Sequence, residues 1–242
     1  MKSIIITGAS AGIGRSTAQL FLEQGWRVGL IARNAAPLED IASRYDTAVP
    51  LPADVTDETA IAAAFDAFVE QAGRLDVLFN NAGAFGPQGM IDEISVDAWR
   101  QTVDVNLTGM FICARAAFGV MRKQSPQGGR IINNGSISAH TPREGSACYT
   151  ATKHGVMGLT KTLALDGRAF DIACGQIDIG NARTDLVADL EVKRAASGLP
   201  PLPTMDVDDV ARSVMHMASL PAEANVLSMT VMATKMPFVG RG

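Results

Sequence analysis

Short apolar runs alternate with amphipathic segments along the whole chain. The first run, Ile4-Ile5-Ile6-Thr7, has the continuous apolar character typical of a strand that is buried on both faces in a parallel sheet. Similar runs predict further strands at 28–32, 47–51, 75–79, 130–134, 173–177 and 225–232. Apolar residues spaced three and four apart predict the intervening helices at 15–24, 37–44, 58–72, 99–123, 149–169 and 206–219, the fourth of them broken near Asn106.

This alternation predicts the fold class. Strands that regularly alternate with helices form βαβ units, so we expect an α/β, doubly wound, three-layer fold with a seven-stranded parallel sheet. Asp57 and Asp206 stand at predicted helix starts, where a carboxylate can cap free N–H groups. No repeat, linker or charge run divides the chain, which indicates a single domain over residues 1–242.

Composition and charge exclude several classes of function. The net charge of −4, without a basic block, argues against nucleic acid as the main partner. No run approaches the roughly 18 apolar residues of a membrane span, and Gly8 ends the N-terminal apolar run too early for a signal peptide. Three cysteines without metal-ligand spacing indicate reduced core residues and no metal site. We therefore expect a soluble cytoplasmic protein.

A glycine-rich turn joins the first strand to the first helix. It reads Gly8-Ala9-Ser10-Ala11-Gly12-Ile13-Gly14, and between a strand and a helix such glycines bind a dinucleotide. Gly8 permits the tight turn, Gly12 lets the backbone approach the pyrophosphate, and Gly14 lets helix and strand pack closely. The helix N-terminus offers unpaired N–H groups to the phosphates. A plain βα turn is the alternative interpretation.

Tyr149 and Lys153 are the next candidate residues. Four residues apart on a predicted helix, they project from the same face. An ammonium about 4 Å from a phenol favours the phenolate by roughly 4 kcal/mol at an effective dielectric of about 20. That energy lowers a phenol pKa by up to roughly three units. Tyr149 is therefore predicted to exchange protons near neutral pH, as a general acid or base must; the same spacing also occurs on solvated helices.

The ordered set of motifs resembles that of the short-chain dehydrogenase/reductase family, in its single-domain Rossmann-fold form. The resemblance covers nearly the whole chain, and Ser136 precedes Tyr149 by thirteen residues, a spacing common in that family. The motifs stand in the family's order: Thr7 to Gly14, Asp54, Asn80-Asn81-Ala82-Gly83, Asn106, Ser136, Tyr149 and Lys153.

The resemblance implies a catalytic set of Asn106, Ser136, Tyr149 and Lys153. Ser136 would donate a hydrogen bond to a substrate carbonyl and stabilise the developing alkoxide. Lys153 would bind the nicotinamide ribose and acidify Tyr149, while the backbone carbonyl of Asn106 holds a water that links Lys153 to solvent. The implied cofactor-binding residues are Gly8, Ser10, Gly12, Ile13, Gly14, Arg33, Asn34, Asp54, Val55, Asn81, Ala82, Gly83, Tyr149, Lys153, Gly180 and Thr184.

Several positions depart from the family's pattern. Ile179 stands before Gly180 where proline is usual. Asn134 and Gly135 replace an apolar residue and a paired serine, so we expect a more polar, less braced setting for Ser136. The segment 185–204 follows the sixth strand at the ligand-binding edge, where a mobile lid is an attractive interpretation and a surface insertion the alternative.

The residue after the second strand predicts the coenzyme. An acid there binds the ribose 2′-hydroxyl of NAD(H), whereas an arginine accommodates the 2′-phosphate of NADP(H). Ala32 stands where the acid is expected, and Arg33 follows it. We therefore expect NADP(H) to be preferred over NAD(H), with Arg15 as a weaker source of assistance.

The resulting hypothesis is an NADP(H)-dependent oxidoreductase acting on a small-molecule ketone or secondary alcohol, with Tyr149 as general acid and base. His140 and Arg143 are candidates for contact with a polar substrate, or solvated loop residues. One alternative is a 3-oxoacyl-(carrier protein) reductase, although Gly119 and Phe170 stand where such enzymes carry basic docking residues. The other is a non-catalytic dinucleotide sensor. Largely apolar helices after Asn106 and Tyr149, together with the resemblance, predict a homotetramer.

Overall fold

A single parallel sheet forms the centre of the computed structural model, which describes residues 1–184, 187, 188, 192, 194, 196, 198 and 200–239. Its strands, within the described residues, are β1 Ser3–Thr7, β2 Arg27–Ala32, β3 Ala48–Pro52, β4 Val77–Asn80, β5 Gly129–Asn134, β6 Ile172–Gly180 and β7 Ser228–Met232. They are arranged in the order β3-β2-β1-β4-β5-β6-β7, and every neighbouring pair is parallel. The predicted doubly wound fold is confirmed.

Helices cover both faces of the sheet. In the part of the chain that the structure describes they are α1 Gly12–Glu23, α2 Ala36–Ala42, α3 Glu58–Ala72, α4 Val96–Val103, α5 Gly109–Lys123, α6 Ala147–Asp166 and α7 Val207–Ser219. Short 3-10 turns cover Ile137–Ala139 and Gly167–Phe170. The α1 helix begins three residues before the predicted start, and α6 begins two residues before Tyr149.

The apolar runs form two hydrophobic clusters, one on each face of the sheet. Ile4 and Ile6 of β1 face the cluster that contains Phe21 of α1 and Val214 of α7. Ile5, which points the other way, belongs to the cluster built on α3 and α5. Burial on both faces explains why the strand is apolar without alternation.

The helix predicted at 99–123 is interrupted as expected. Between α4 and α5 the chain forms a π-helical turn over Asp104–Thr108, with the fully buried Asn106 at its centre. A π-turn inserts one residue into the helical hydrogen-bond ladder and is frequent at functional sites. The predicted cap also forms, because the Asp57 carboxylate accepts a hydrogen bond from Ala60 N at 3.0 Å.

The last two strands differ from the prediction at their ends. The sixth extends through Ile179 and Gly180 because these residues pair with Val231 and Met232 of β7. The seventh begins at Ser228 rather than Asn225, whose side chain instead binds Arg130 Nη1 at 2.9 Å and the Cys174 carbonyl at 2.7 Å. Side-chain hydrogen bonds thus fix this part of the chain before the strand begins.

The continuous helical stretch Val96–Lys123 is long and apolar enough to cross a membrane, with a mean hydropathy of 1.3. Composition alone cannot distinguish such a span from a core helix. Here Cys113, Ala117 and Met121 of α5 are buried in the cluster with the sheet and α3. These contacts are those of a core helix.

The strand order determines where a ligand site can form. The chain winds outward from β1 through β2 to β3, then returns and continues from β4 in the opposite direction. Ligands of open α/β sheets bind at the carboxyl edge beside this switch point. The turn after Thr7 and the segment after Asn80 meet at that edge.

Candidate active site

A cavity of 630 Å³ opens at the carboxyl edge of the sheet. Its size is in the usual range for small-molecule and cofactor sites. Most of the predicted site residues line it: Gly8, Ser10, Gly12, Ile13, Arg33, Asp54, Val55, Asn81, Ala82, Gly83, Ser136, Tyr149, Lys153 and Thr184. Four others are not part of its lining: Gly14, Asn34, Asn106 and Gly180.

The glycine-rich turn places the N-terminus of α1 at the cavity. Gly8 and Gly12 have φ angles of 68° and 51°, which a residue with a side chain rarely adopts. A Cβ on Gly14 would lie 2.2 Å from the Gly8 carbonyl oxygen, so only glycine allows the helix this close. The N-cap residue Ala11 makes no side-chain capping bond, and the first turn carries no acid. Its N–H groups therefore suit a phosphate.

The segment after β4 is fastened to the glycine-rich turn. The Thr7 hydroxyl accepts hydrogen bonds from Asn81 N at 2.8 Å and Ala82 N at 2.9 Å. In return the Asn81 amide donates to the Thr7 carbonyl at 2.9 Å. These bonds set the floor of the cavity between the two halves of the sheet.

Asp54 lies at the end of the cavity with Arg33. Its Oδ1 accepts from the Thr56 backbone N–H at 2.9 Å and hydroxyl at 2.8 Å. The backbone N–H, followed by the hydroxyl and the Arg33 charge, holds the pKa of Asp54 below its usual value against the effect of burial. The N-cap of α3 is Asp57, not Asp54, so capping does not occupy this carboxylate.

The basic residues near Asp54 differ in whether another side chain already binds them. Arg33 is exposed at the cavity wall and makes no ion pair with a described residue. Arg15 donates to Asp40 at 2.7 Å, and Arg44 binds the other oxygen of that carboxylate. Asn34 accepts from Ala36 N at 3.2 Å and so fixes the start of α2. Arg33 is the cation directed to the cavity, and Arg15 is already paired.

Ser136 follows β5 and is 3% exposed. Its hydroxyl oxygen accepts a hydrogen bond from Ser138 N at 3.1 Å, and its own backbone N–H donates to Asp178 Oδ1 at 2.9 Å. A serine hydroxyl has one donor hydrogen and two acceptor lone pairs. Because Ser138 uses a lone pair, the hydroxyl hydrogen remains available to an oxygen in the cavity.

Tyr149 lies in the first turn of α6, with Phe85 packed edge-on against its ring at 5.2 Å between centroids. Burial raises the pKa of Tyr149 above its ordinary value, and the Asp178 charge adds to this; the Ser136 hydroxyl and the Arg143 guanidinium oppose it. The net shift is upward, so the prediction of a lowered pKa for Tyr149 is wrong for this structure, which favours the protonated phenol.

Lys153 is 3% exposed, and its Nζ donates to the Asn134 carbonyl at 2.8 Å. Burial lowers the pKa of Lys153 to about 8, while the Asp178 charge opposes that fall. The ammonium lies 5.5 Å from the centroid of the Tyr149 ring. The helix thus brings Tyr149 and Lys153 together as predicted, but the lysine is held by the backbone of β5.

Asn106 lies behind the cavity wall. Its side-chain oxygen accepts from Ala84 N and its amide donates to the Ala84 carbonyl, both at 2.7 Å. The amide is also 3.3 Å from the Thr152 hydroxyl on α6. This pairing holds the loop after β4 against the π-turn and against α6, the helix that carries Tyr149 and Lys153.

The chain leaves β6 without the usual proline. Ile179 remains in the sheet and lines the cavity, and Gly180 is packed so tightly that a Cβ would lie 2.7 Å from Met232 Cβ. Asn181 then adopts a left-handed conformation, with φ of 51°, and turns the chain toward Thr184. A Cβ on Gly12 would lie 3.0 Å from Thr184 Cγ2, which places the threonine in contact with the glycine-rich turn at the wall of the cavity.

Asp178 is a site residue that sequence reasoning missed. It is fully buried, and its carboxylate accepts from the Ser136 backbone and from Gln176 Nε2, with His140 Nε2 2.8 Å from its second oxygen. The expectation that Gly135 leaves Ser136 less braced is therefore wrong. The sequence offers one signal for this residue, because an aspartate within a largely apolar strand is unusual.

The remaining predictions concern metals and the lid. No cluster of three potential metal ligands occurs among the residues that the structure describes. Nine of the twenty residues of the predicted lid, 185–204, lie outside the described residues.

Comparisons with known proteins agree with this geometry. A family model described as short chain dehydrogenase matches residues 2–195. The chain is 34% identical over 228 residues to trans-4-hydroxycyclohexanecarboxylate dehydrogenase of Sinomonas cyclohexanicum, covering 90% of this chain and 86% of that protein.

Solved structures are similar over nearly the whole chain. One is a 3-ketoacyl-(acyl-carrier-protein) reductase from Brucella melitensis complexed with NADH, with a TM-score of 0.86, 27% identity and coverage of 95% of this chain and 96% of that one. Another is the closed form of serine dehydrogenase complexed with NADP+, with a TM-score of 0.86, 25% identity and coverage of 95% and 94%.

Proposed function

The chain belongs to the short-chain dehydrogenase family, and we propose that this NAD(P)-dependent oxidoreductase uses NADP(H) to interconvert a small-molecule ketone and its secondary alcohol. The observation that carries the proposal is the convergence of Ser136, Tyr149 and Lys153 on one cavity beside the glycine-rich turn. A hydroxyl donor, a phenol and a buried ammonium are the groups that carbonyl reduction requires.

The cavity residues fit a nicotinamide dinucleotide. The uncapped start of α1 suits the pyrophosphate, and the fixed carboxylate of Asp54 suits the adenine amine. Lys153 would bind the nicotinamide ribose and Thr184 the carboxamide. The bound coenzyme supplies or accepts the hydride, while the protein orients it and moves the proton.

In the reducing direction three side chains of the protein stabilise the developing charge and transfer the proton. The hydroxyl hydrogen of Ser136 donates to the carbonyl oxygen, which stabilises the negative charge that develops there. Tyr149, whose raised pKa keeps the phenol protonated, transfers its proton to the same oxygen. Lys153 places a positive charge beside the phenolate that remains. Oxidation of the alcohol reverses these steps.

Arg33 supports the preference for NADP(H). It lies at the wall of the cavity near Asp54, at the end that suits the adenosine. No acid follows Ala32 to bind a ribose 2′-hydroxyl, and Asp40 is neutralised by Arg15 and Arg44. An exposed guanidinium at this point can donate two charge-assisted hydrogen bonds to a 2′-phosphate.

Arg143 supports a substrate with a negatively charged group. It lines the cavity close enough to lower the pKa of Tyr149, yet among the described residues its guanidinium donates only to the Ser138 hydroxyl, at 3.5 Å. Phe85, Pro87 and Ala98 make the facing wall apolar or neutral. In a ring or chain that bears a carboxylate, the carboxylate would pair with Arg143 and the apolar part would pack against the other wall. The relative from Sinomonas cyclohexanicum is named for such a substrate.

The assembly and compartment form part of the proposal. Phe111 on α5 and Leu165 on α6 are 50% and 59% exposed, although both helices also pack against the sheet. Their burial against further copies of the chain fits a homotetramer. Cys113, Cys148 and Cys174 are free and buried, which fits a reducing compartment such as the cytoplasm.

Coenzyme oxidation over a panel of ketones tests the proposal. The panel contains 4-oxocyclohexanecarboxylate, its neutral methyl ester, a plain cycloalkanone and a 3-oxoacyl thioester, free and linked to carrier protein. We expect the free oxo acid to be reduced fastest with NADPH. A clear preference for the carrier-linked thioester would instead establish the carrier-protein reductase, and dinucleotide binding without turnover of any ketone would establish the sensor.

A further inference from the structure

A chain of buried polar side chains crosses the sheet beneath the cavity. Asn80, Asn133 and Gln176 are neighbours in register on β4, β5 and β6. Asn133 donates to the Thr160 hydroxyl at 2.9 Å, and that hydroxyl lies 3.2 Å from Gln176 Oε1. Gln176 in turn donates to Asp178 Oδ1 at 2.6 Å. All five side chains are at most 2% exposed. The chain of contacts ends at a carboxylate.

The Asp178 carboxylate joins this chain to the site. Its Oδ1 also accepts from the Ser136 backbone N–H at 2.9 Å, and its Oδ2 lies 2.8 Å from His140 Nε2. A buried charge costs several kcal/mol unless donors and an opposite charge compensate it. Three nitrogen atoms contact this carboxylate, from the Ser136 backbone, Gln176 and His140, and its charge also acts on the equally buried Lys153 without a direct ion pair between them.

Gly135 is matched to Asp178. A Cβ at position 135 would lie 2.1 Å from Asp178 Oδ1 and 2.5 Å from Gln176 Nε2, distances that real Cβ atoms do not show. The carboxylate therefore occupies the space that a side chain at position 135 would need. Gly135 and Asp178 therefore form one structural unit.

The charge of Asp178 acts on both proton-carrying groups. Burial lowers the pKa of Lys153, and the Asp178 charge is the cause that opposes it. The same charge adds to the burial that raises the pKa of Tyr149, against the Ser136 hydroxyl and Arg143. Both effects favour the protonated forms of Lys153 and Tyr149, which are the forms that reduction needs.

We propose that Asp178 is a positioning residue of the active site, which holds the Ser136 backbone through one carboxylate oxygen and supplies the fixed counter-charge for the buried Lys153. The inference rests on the proposed function for its kinetic consequences, but the hydrogen bond from the Ser136 backbone to Asp178 exists independently of any substrate. His140 closes the outer side of this carboxylate.

The first experiment measures the titration of Lys153 directly, without a substrate. Lysine labelled with ¹³C at Cε is observed by NMR in the wild type and in Asp178→Asn, with Lys153→Arg to assign the resonance. Asparagine can keep the acceptor for Ser136 N while removing the charge, so we expect the Lys153 midpoint to fall by about one pH unit. Asp46→Asn, which removes an exposed charge, is the matched control and leaves the midpoint unchanged. An unchanged midpoint in Asp178→Asn overturns the proposal.

The second experiment is a double-mutant cycle in kcat and KM. Gly135→Ala displaces the carboxylate and Asp178→Ala removes it, and each is expected to lower kcat about tenfold or more while dinucleotide affinity stays within about twofold. In the double variant the added Cβ occupies the vacated space, so we expect a smaller loss than the two single losses combined. Strictly additive losses contradict the coupling of Gly135 with Asp178.

The two proposals fail in different ways. Absence of ketone turnover in the wild type sinks the proposed reaction but leaves the Lys153 titration as a test of Asp178. If the wild-type enzyme is active but the Lys153 midpoint in Asp178→Asn equals the wild-type value, only the role of Asp178 is contradicted. If Asp178→Asn does not fold, the titration is measured in Gly135→Ala, which keeps the carboxyl group but moves it, so we expect a smaller fall; an unchanged midpoint there overturns the proposal.

Discussion

The Lys153 ammonium lies 5.5 Å from the centroid of the Tyr149 ring and donates its hydrogen bond to the Asn134 carbonyl instead of to the phenol. The lysine therefore acts on the tyrosine as a nearby charge rather than as a hydrogen-bond partner. Burial raises the pKa of Tyr149 and lowers that of Lys153 to about 8. The two directions of the reaction therefore depend oppositely on pH, because reduction needs the protonated phenol and oxidation needs the phenolate.

The first prediction is the pH dependence of kcat/KM, which reports ionisations of the free enzyme. Reduction needs Tyr149 and Lys153 both protonated, so it is constant below the lysine pKa of about 8 and falls as pH rises through it. Oxidation needs the phenolate and rises with pH. In Lys153→Arg, where the cation cannot lose its proton, the fall near pH 8 disappears and only the loss of the Tyr149 proton at higher pH still slows reduction. Reduction that accelerates above pH 8 contradicts this assignment.

The second prediction concerns Arg33. Its replacement by alanine removes the charge-assisted bonds proposed for the 2′-phosphate, each contributing roughly 1.5–3 kcal/mol. We expect kcat/KM with NADPH to fall about 10- to 100-fold, and the value with NADH to change by less than about threefold. Arg15→Ala is the matched control, because Asp40 already holds that guanidinium and the preference should change much less. Equal use of both coenzymes by the wild type contradicts the assignment.

The third prediction concerns Arg143 and the charge of the substrate. Arg143→Gln is expected to lower kcat/KM for 4-oxocyclohexanecarboxylate about 10- to 100-fold and to leave its methyl ester nearly unaffected. Arg212→Gln on α7, which lies outside the lining of the cavity, serves as the control. Equal losses for the acid and the ester would mean that Arg143 supports the fold rather than the substrate.

The fourth prediction is a homotetramer at micromolar concentration. Phe111→Glu places a charge on the half-exposed apolar face of α5 and is expected to yield dimers or monomers. Ile91→Glu, on a loop residue that is 79% exposed, leaves the assembly intact. Sedimentation velocity measures both; a monomeric wild type contradicts the prediction.

The strands and the glycine-rich turn could be predicted because their causes are local. The run of isoleucines in β1 indicates burial on both faces wherever the strand lies in the sheet. Asp57 caps α3 through contacts within four residues, and Asn106 marks the break in the helix that contains it. Such features depend on neighbours in sequence, so the sequence alone predicts them.

The polar contacts beneath Ser136 depend on neighbours in space. Asn133 and Gln176 meet only because β5 and β6 pair in a particular register, and Gly135 is required only because Asp178 reaches beneath it. Helical spacing likewise predicts that Lys153 acts on Tyr149, whereas in the structure the Lys153 ammonium donates its hydrogen bond to the Asn134 carbonyl on β5. Helical spacing alone did not indicate this contact across the fold.

The measurement that tests the central claim most directly is the rate of coenzyme oxidation by Tyr149→Phe, made beside the dissociation constant for NADPH. Loss of the phenolic hydroxyl removes the proton donor but no group that holds the phosphates or adenine, so turnover of the best ketone should fall by about 100- to 10,000-fold. The dissociation constant should stay within about threefold of the wild-type value. Tyr149→Phe enzyme that reduces the ketone at the wild-type rate would contradict the account.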